Sequence, residues 1–305
     1  YLELENLWSE FHQSTVDNNS KIGWSLWKIL PKKNHNENTA HYMTVNQFLS
    51  KDQFDLAYKK FNYSDVVKTI KTKLRGEMSS RDVDKILGKK EDFGNLDGVI
   101  ITGDISDDGS TASYSDAYDI LKKLHLPLLA IPGNHDLRQP MMNYFAKDID
   151  IQSSGFFDWV FETSDTLIVG LDTLVEGQNH GMLRSESLNL LFESLNQPTE
   201  KNIILAIHHP PINTGIPFMD EIGLKNSDEL SECLDAAGQP IRILCGHVHG
   251  IYQGTLDIHS VVTAPSTCTR FSFNRRVNAP KGFKLFPTGF AYLDSSYNGF
   301  WTPLI

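Results

Sequence analysis

The sequence predicts an α/β fold: a two-sheet β-sandwich flanked by helices. Three observations predict it. From His41 onward, short apolar runs alternate with helix-period segments, the pattern of strands separated by packed helices. Four of those runs, Val99–Thr102, Leu126–Ile131, Ile203–Ile207 and Ile241–Cys245, are continuously apolar, as strands covered on both faces are. A further set, Phe156–Phe161, Thr166–Leu171, Asp257–Val262 and Gly289–Leu293, is strand-like without intervening helices. That mixture asks for two sheets packed face to face.

In chain order, residues 1–40 read as an extension and residues 41–305 as the main domain. Leu2, Leu4, Leu7, Trp8 and Phe11 suggest a short amphipathic helix, an apolar stretch with two tryptophans follows, and Pro31–Asn38 is a polar loop. Helices are expected over Asp65–Leu74, Ser115–Leu124, Ser187–Leu195 and Asp228–Ala236. There is no internal repeat and no low-complexity tract.

The 305 residues carry a formal net charge of −10 and are 40% hydrophobic, enough apolar material for one large domain or two modest ones. An acidic chain lacks the basic surface that long nucleic acid requires. A small phosphate compound remains possible where a local cation supplies positive charge. Three scattered cysteines fit a reducing compartment, hence a cytoplasmic expectation. No apolar run approaches the roughly 20 residues of a membrane span, and the sequence leaves oligomeric state open.

Each of the four buried strands leads directly into polar residues able to bind metal. Gly103-Asp104 follows the first and Gly133-Asn134-His135-Asp136 the second. His208-His209-Pro210-Pro211 follows the third and Gly246-His247-Val248-His249 the fourth. In open α/β sheets the loops at the carboxyl ends of strands converge on the ligand crevice. Asp104 has two oxygens and can bridge two cations, holding them about 3.5–4 Å apart for a phosphoryl transfer. Asn134 offers a neutral oxygen, and His208, His247 and His249 offer imidazoles suited to manganese, iron or zinc more than calcium. In extended backbone, His247 and His249 share a face, and the three glycines permit sharp turns.

Each cluster also has a plain reading. Asp-Ile-Ser-Asp-Asp-Gly after Gly103 suits a turn, His-His-Pro-Pro a rigid loop, and Gly-His-Val-His-Gly a hairpin corner. Four at four strand ends favour a site. His12, His35, His41, His125, His180 and His259 lie in no such context and read as surface or satisfied interior groups. Cys245 and Cys268 read as small apolar residues.

Together the four clusters resemble the motifs of the calcineurin-like metallophosphoesterases. The branch they resemble most is that of the class III cyclic-nucleotide phosphodiesterases, through Leu126–Asp136, Phe218-Met219-Asp220 and Ala264–Cys268. The resemblance spans roughly residues 95–300. It implies Asp104 bridging two metals, Asn134, His208 and His247 completing one site, and His249 in the other. It implies His135 beside the leaving oxygen with Asp136 orienting its ring, the metal on the first histidine of the His208-His209 pair with His209 left an outer or structural residue, and a metal-bound hydroxide as nucleophile. The implied substrate is a small phosphodiester or nucleotide, with 3',5'-cyclic AMP the specific candidate of that branch.

One departure is plain. The family pattern opens with an Asp-x-His, and nothing before Asp104 in this sequence has that form. Asp257-Ile258-His259 comes too late in the order. By position, Asn46 and Phe48 would occupy those places, and only Asn46 offers a ligand. One tight metal site and one weak or empty site are therefore expected. Two alternatives stay open: a catalytically impaired nucleotide- or phosphate-binding relative, and a phosphomonoesterase or nucleotide-diphosphate hydrolase.

Overall fold

The computed structural model describes residues 23–28, 42–47 and 96–294 (apart from 153–154, 198, 279–281 and 285–288), together with 299–301. The chain divides into two compact units, Tyr1–Leu74 and Arg75–Ile305. In the first, β1 (Gly23–Lys28) pairs antiparallel with β2 (Tyr42–Gln47). This ladder joins residues on either side of the expected boundary at residue 40. The helices expected at Leu2–Phe11 and Asp65–Leu74 lie outside the described residues.

In the second unit, β3 (Val99–Ile101) pairs parallel with β4 (Leu128–Ala130). A separate six-stranded sheet contains β5 (Trp159–Glu162), β6 (Thr166–Gly170), β7 (Asn202–Ala206), β8 (Arg242–Cys245), β9 (Gln253–Leu256) and β10 (His259–Thr263), in the order β5-β6-β7-β8-β10-β9. Its inner strands β6, β7, β8 and β10 run parallel, and the edge strands β5 and β9 run antiparallel to their neighbours. Beyond them, β11 (Arg270–Phe271) pairs with β12 (Phe283–Lys284) and β13 (Tyr292–Asp294) with β14 (Gly299–Trp301).

Side-chain alternation builds the layers. In β7 and the residue after it, Ile203, Leu205 and Ile207 face one cluster while Ile204 and Ala206 face another. In β4, Leu128 and Ala130 face the helices α1 (Thr111–Leu121) and α2 (Arg138–Phe145), while Leu129 and the following Ile131 face the large sheet. The far face of that sheet buries Leu191 and Leu195 of α3 (Ser185–Leu195) and Leu230 and Leu234 of α5 (Ser227–Leu234); the single turn α4 (Pro217–Asp220) lies between them in sequence. Two strand layers thus lie between two helix layers, and this period-two division is why the runs look continuously apolar. Each fully buried Leu or Ile contributes about 1.5–3 kcal/mol.

Trp159 locks the two strand layers. Its Nε1 donates to the Ala130 carbonyl at 2.8 Å. The ring needs Gly170 opposite it, since a Cβ there would sit 2.1 Å from Trp159 Cε2. The helix expected at Ser115 starts earlier, at Thr111, because the Ser110 side chain accepts from Ser113 N and caps it. Asp257-Ile258 forms the two-residue turn between β9 and β10, and buried His259 accepts from Ile241 N through Nδ1. That Asp-x-His is a hairpin corner. Cys233, Cys245 and Cys268 are free thiols. No helix among the described residues is long and apolar enough to cross a membrane.

Candidate metal centre

The parallel pairings point the carboxyl ends of β3 and β4 one way within their layer, and those of β7 and β8 one way within theirs. The loops that follow them meet. Asn134 Oδ1 lies 2.9 Å from His247 Nδ1 and 3.3 Å from His208 Nε2. Asp104 Oδ2 lies 3.5 Å from His208 Nε2. Around a cation with bonds of about 2.0–2.1 Å, neighbouring tetrahedral donors stand about 3.3 Å apart, so this edge spacing matches a coordination shell.

The remaining hydrogen bonds agree with that use. His208 Nδ1 donates to the Thr102 carbonyl at 2.6 Å, turning Nε2 toward the other donors. His208 and His247 are 1% and 5% exposed, and His247 Nε2 has no hydrogen-bond partner. One carboxylate, one amide oxygen and two buried imidazoles form a donor set for a divalent transition metal rather than for calcium.

Backbone conformation and the lack of side chains make the meeting possible. Asp104, His247 and His249 are three of the five described non-glycine residues with positive φ, at 55°, 67° and 53°. Such strain costs about 1–3 kcal/mol per residue and concentrates at functional sites. The expectation that His247 and His249 share the face of an extended segment is therefore corrected: the loop is left-handed at both. Of the three glycines that precede site residues, Gly103, Gly133 and Gly246, Gly103 has positive φ, 94°. Gly133 is required for space, because a Cβ there would sit 2.2 Å from Asp104 Oδ1 and 2.6 Å from His208 Cε1.

Charges within the cluster are strongly coupled. Burial pushes Asp104 up, but the charge and hydrogen bond of His208, with those of His135, outweigh it and hold the carboxyl well below its usual range. Burial pushes His208 down, yet Asp104 and the Thr102 carbonyl outweigh it and raise its pKa above 6.5. Burial and then the His208 charge push His247 down to about 3. His209 is likewise held well below 6.5, first by burial.

Other expected site residues are placed differently. Asp136 is engaged by other donors. It is buried and accepts from the backbone N–H groups of Gly133, Ser106 and Ile105 at 2.8, 2.9 and 3.2 Å, and from Tyr114 OH at 3.1 Å. Four donors occupy its oxygens, so it ties the Asn134 loop to the Asp104 loop. The His135 ring is half exposed and pairs through Nδ1 with Asp107 Oδ1 at 3.2 Å, while its backbone N–H donates to Asp104 Oδ1. Asp107 was legible only as part of an acidic turn, and Tyr114, just ahead of the helix expected from Ser115, carried no signal.

His249 Nδ1 is hydrogen bonded to Thr269 Oγ1 at 2.9 Å, and its ring stacks on Phe271. Asn46 lies in β2 opposite Trp24, and Phe48 lies outside the described residues. Asp104, His247 and His249 line one end of a cavity of about 710 Å³, whose other walls include the apolar Ile100, Leu129, Ile204 and Leu244.

The family model for calcineurin-like phosphoesterases matches residues 59–250, more than half of the chain. The chain is 32% identical over 190 residues to the protein named "Probable glycerophosphodiester phosphodiesterase GpdQ" of Arcobacter nitrofigilis, covering 62% of this chain and 70% of that one. It is 30% identical over 177 residues to the 3',5'-cyclic adenosine monophosphate phosphodiesterase CpdA of Pseudomonas aeruginosa, covering 58% and 63%. The second match thus spans less than two thirds of that relative. A dimetal phosphatase from Danio rerio shares the fold, with a TM-score of 0.53 at 13% identity over 72% of this chain and 82% of that one.

Paired strand layers between helices, with oxygen and imidazole donors gathered at strand ends, are the build of a metal-dependent phosphoesterase. This chain belongs to the calcineurin-like phosphoesterase family, hydrolases that use divalent metals.

Proposed function

We propose that this chain hydrolyses a small phosphodiester using a divalent transition-metal cation held by Asp104, Asn134, His208 and His247. The observation that carries the reading is the buried approach of Asn134 Oδ1 to His247 Nδ1 and His208 Nε2, beside Asp104. Such a cation, when bound, lowers the pKa of water and draws charge from a phosphoryl oxygen. Asp104 supplies the negative charge that retains it. His208, anchored on the Thr102 carbonyl, and His247 supply nitrogen ligands. His135 stands next to Asp104 with its ring in solvent and Asp107 at Nδ1, positioned to give a proton to the leaving oxygen. A second cation, using Asp104 and His249, is proposed to bind weakly.

The substrate proposed first is 3',5'-cyclic AMP, supported by the name of the Pseudomonas aeruginosa relative. A glycerophosphodiester, supported by the Arcobacter nitrofigilis name, breaks the same class of bond. A cytoplasmic setting is proposed from the free cysteines. The test is turnover by the manganese-, iron- or zinc-loaded chain of bis(p-nitrophenyl) phosphate, cyclic AMP, glycerophosphocholine and p-nitrophenyl phosphate. Diester cleavage in excess of monoester cleavage is expected. Faster monoester cleavage overturns the diester assignment, and silence on all four makes the chain a binding protein.

A further inference from the structure

His209 follows a metal-ligand candidate directly and belongs to none of the roles above, yet it is fully buried. Its ring meets His208 edge-on at 4.7 Å and His247 at 4.6 Å with a 51° tilt. It fills the space behind both imidazoles. Room for it exists because residue 181 is glycine: a Cβ there would stand 2.3 Å from His209 Nδ1.

The ring is also held from behind. His209 Nδ1 and Thr173 Oγ1 are hydrogen bonded at 2.8 Å, and Thr173 is itself fully buried. The adjacent Asp172 receives Arg138 Nε and Nη2 at 2.7 and 3.0 Å and also accepts from Leu174 N and Phe157 N. Arg138 begins α2, two residues after Asp136. The Thr173 anchor therefore adjoins in sequence a carboxylate that Arg138 and two backbone N–H groups hold in place.

We propose that His209, anchored by Thr173, is a positioning residue that sets the ring orientations of His208 and His247 at the metal centre. Outer partners that hydrogen bond to ligand imidazoles are worth about 10–100-fold in metal affinity, and His209 fixes both rings by packing against them. The inference rests on the metal-centre reading.

The test uses Co(II), whose visible absorption reports ligand geometry. In the full chain, Thr173→Val is expected to weaken Co(II) binding about 10-fold and to alter the visible bands, while Thr173→Ser, which keeps the hydroxyl, restores both. His209→Phe is expected to do at least as much as Thr173→Val. If both Thr173→Val and His209→Phe keep the parent affinity and spectrum, the positioning role is overturned. If His209→Phe does not fold, the Thr173 pair decides alone. Loss of one exchangeable, hyperfine-shifted imidazole N–H resonance in the Co(II)-loaded His209 variant would make it a ligand, which also overturns the role. Absence of Co(II) uptake by the parent chain overturns the metal-centre reading itself and this inference with it.

Discussion

Asn134 Oδ1 and His247 Nδ1 lie 2.9 Å apart although 113 residues separate them in the chain. One belongs to the loop after β4 and the other to the loop after β8, strands of different layers. Two lone pairs would repel at this distance, so either a hydrogen on Nδ1 or a cation in its place joins them.

Elemental analysis of protein purified without chelator should find about one tightly held transition-metal ion per chain, as expected for a four-ligand site. Asn134→Ala and His208→Ala should each cut metal content and diester turnover by about 100-fold or more, beyond the effect of losing an outer partner. Full metal content in either variant would remove that residue from the ligand set.

His135→Ala should keep its metal and lose about 10²–10⁴-fold in turnover, the usual worth of a general acid. The readout is metal content beside kcat. An emptied site would contradict the proton-donor role, because the contact to Asp104 is made by the His135 backbone and survives the substitution.

Gly133→Ala should fold yet bind metal poorly. The added Cβ would fall 2.2 Å from Asp104 Oδ1 and 2.4 Å from Asp104 N, moving a proposed ligand. Unchanged metal affinity in a titration would mean that the loops shift at no cost.

Metal uptake should depend on pH through His208. Its pKa lies above 6.5 in the metal-free chain, because Asp104 outweighs the downward push of burial, and ligation through Nε2 requires that proton to leave. Affinity should rise about tenfold per pH unit from 6.5 to that raised value, with one proton released per ion. His247, held at about 3, contributes no proton in this window. For the metal-free chain the sign is opposite. A raised folded pKa gives stability that is complete below 6.5 and is lost as pH rises through the folded value. Calorimetry finding metal affinity flat between pH 6.5 and 7.5 would sink this.

Tyr114→Phe should lower stability by about 1–3 kcal/mol in urea unfolding, the cost of stranding buried partners. Tyr114 OH donates to Asp136 and accepts from Leu137 N at 2.7 Å, so both lose a partner. An unchanged midpoint would show that water replaces the hydroxyl.

Some of this was legible in the residues alone and some was not. The four apolar runs and their polar successors are visible because burial on both faces demands continuous apolar sequence, and a ligand needs its own residue type at its own position. The partners of those residues are not visible in the same way. Thr173, Tyr114 and Arg138 are ordinary members of a loop and two helices, and nothing in their neighbours' chemistry announces what they touch. Asp136 looked like the orienting carboxylate for His135 because it is adjacent in sequence. In space its oxygens are taken by three backbone N–H groups and a phenol, and Asp107 stands at the ring instead.

By itself the sequence determined the fold class, through continuously apolar runs between helical segments, and the residue types of the proposed donors Asp104, Asn134, His208 and His247. Only the tertiary structure decided which atoms of those residues converge, that the loop is left-handed at His247 and His249, and that the His209 ring packs against those of His208 and His247. The physical reason is range. Periodicity and residue type are local properties written along the chain, whereas ring orientation and hydrogen-bond pairing depend on distances between segments a hundred residues apart, which exist only after the layers have packed.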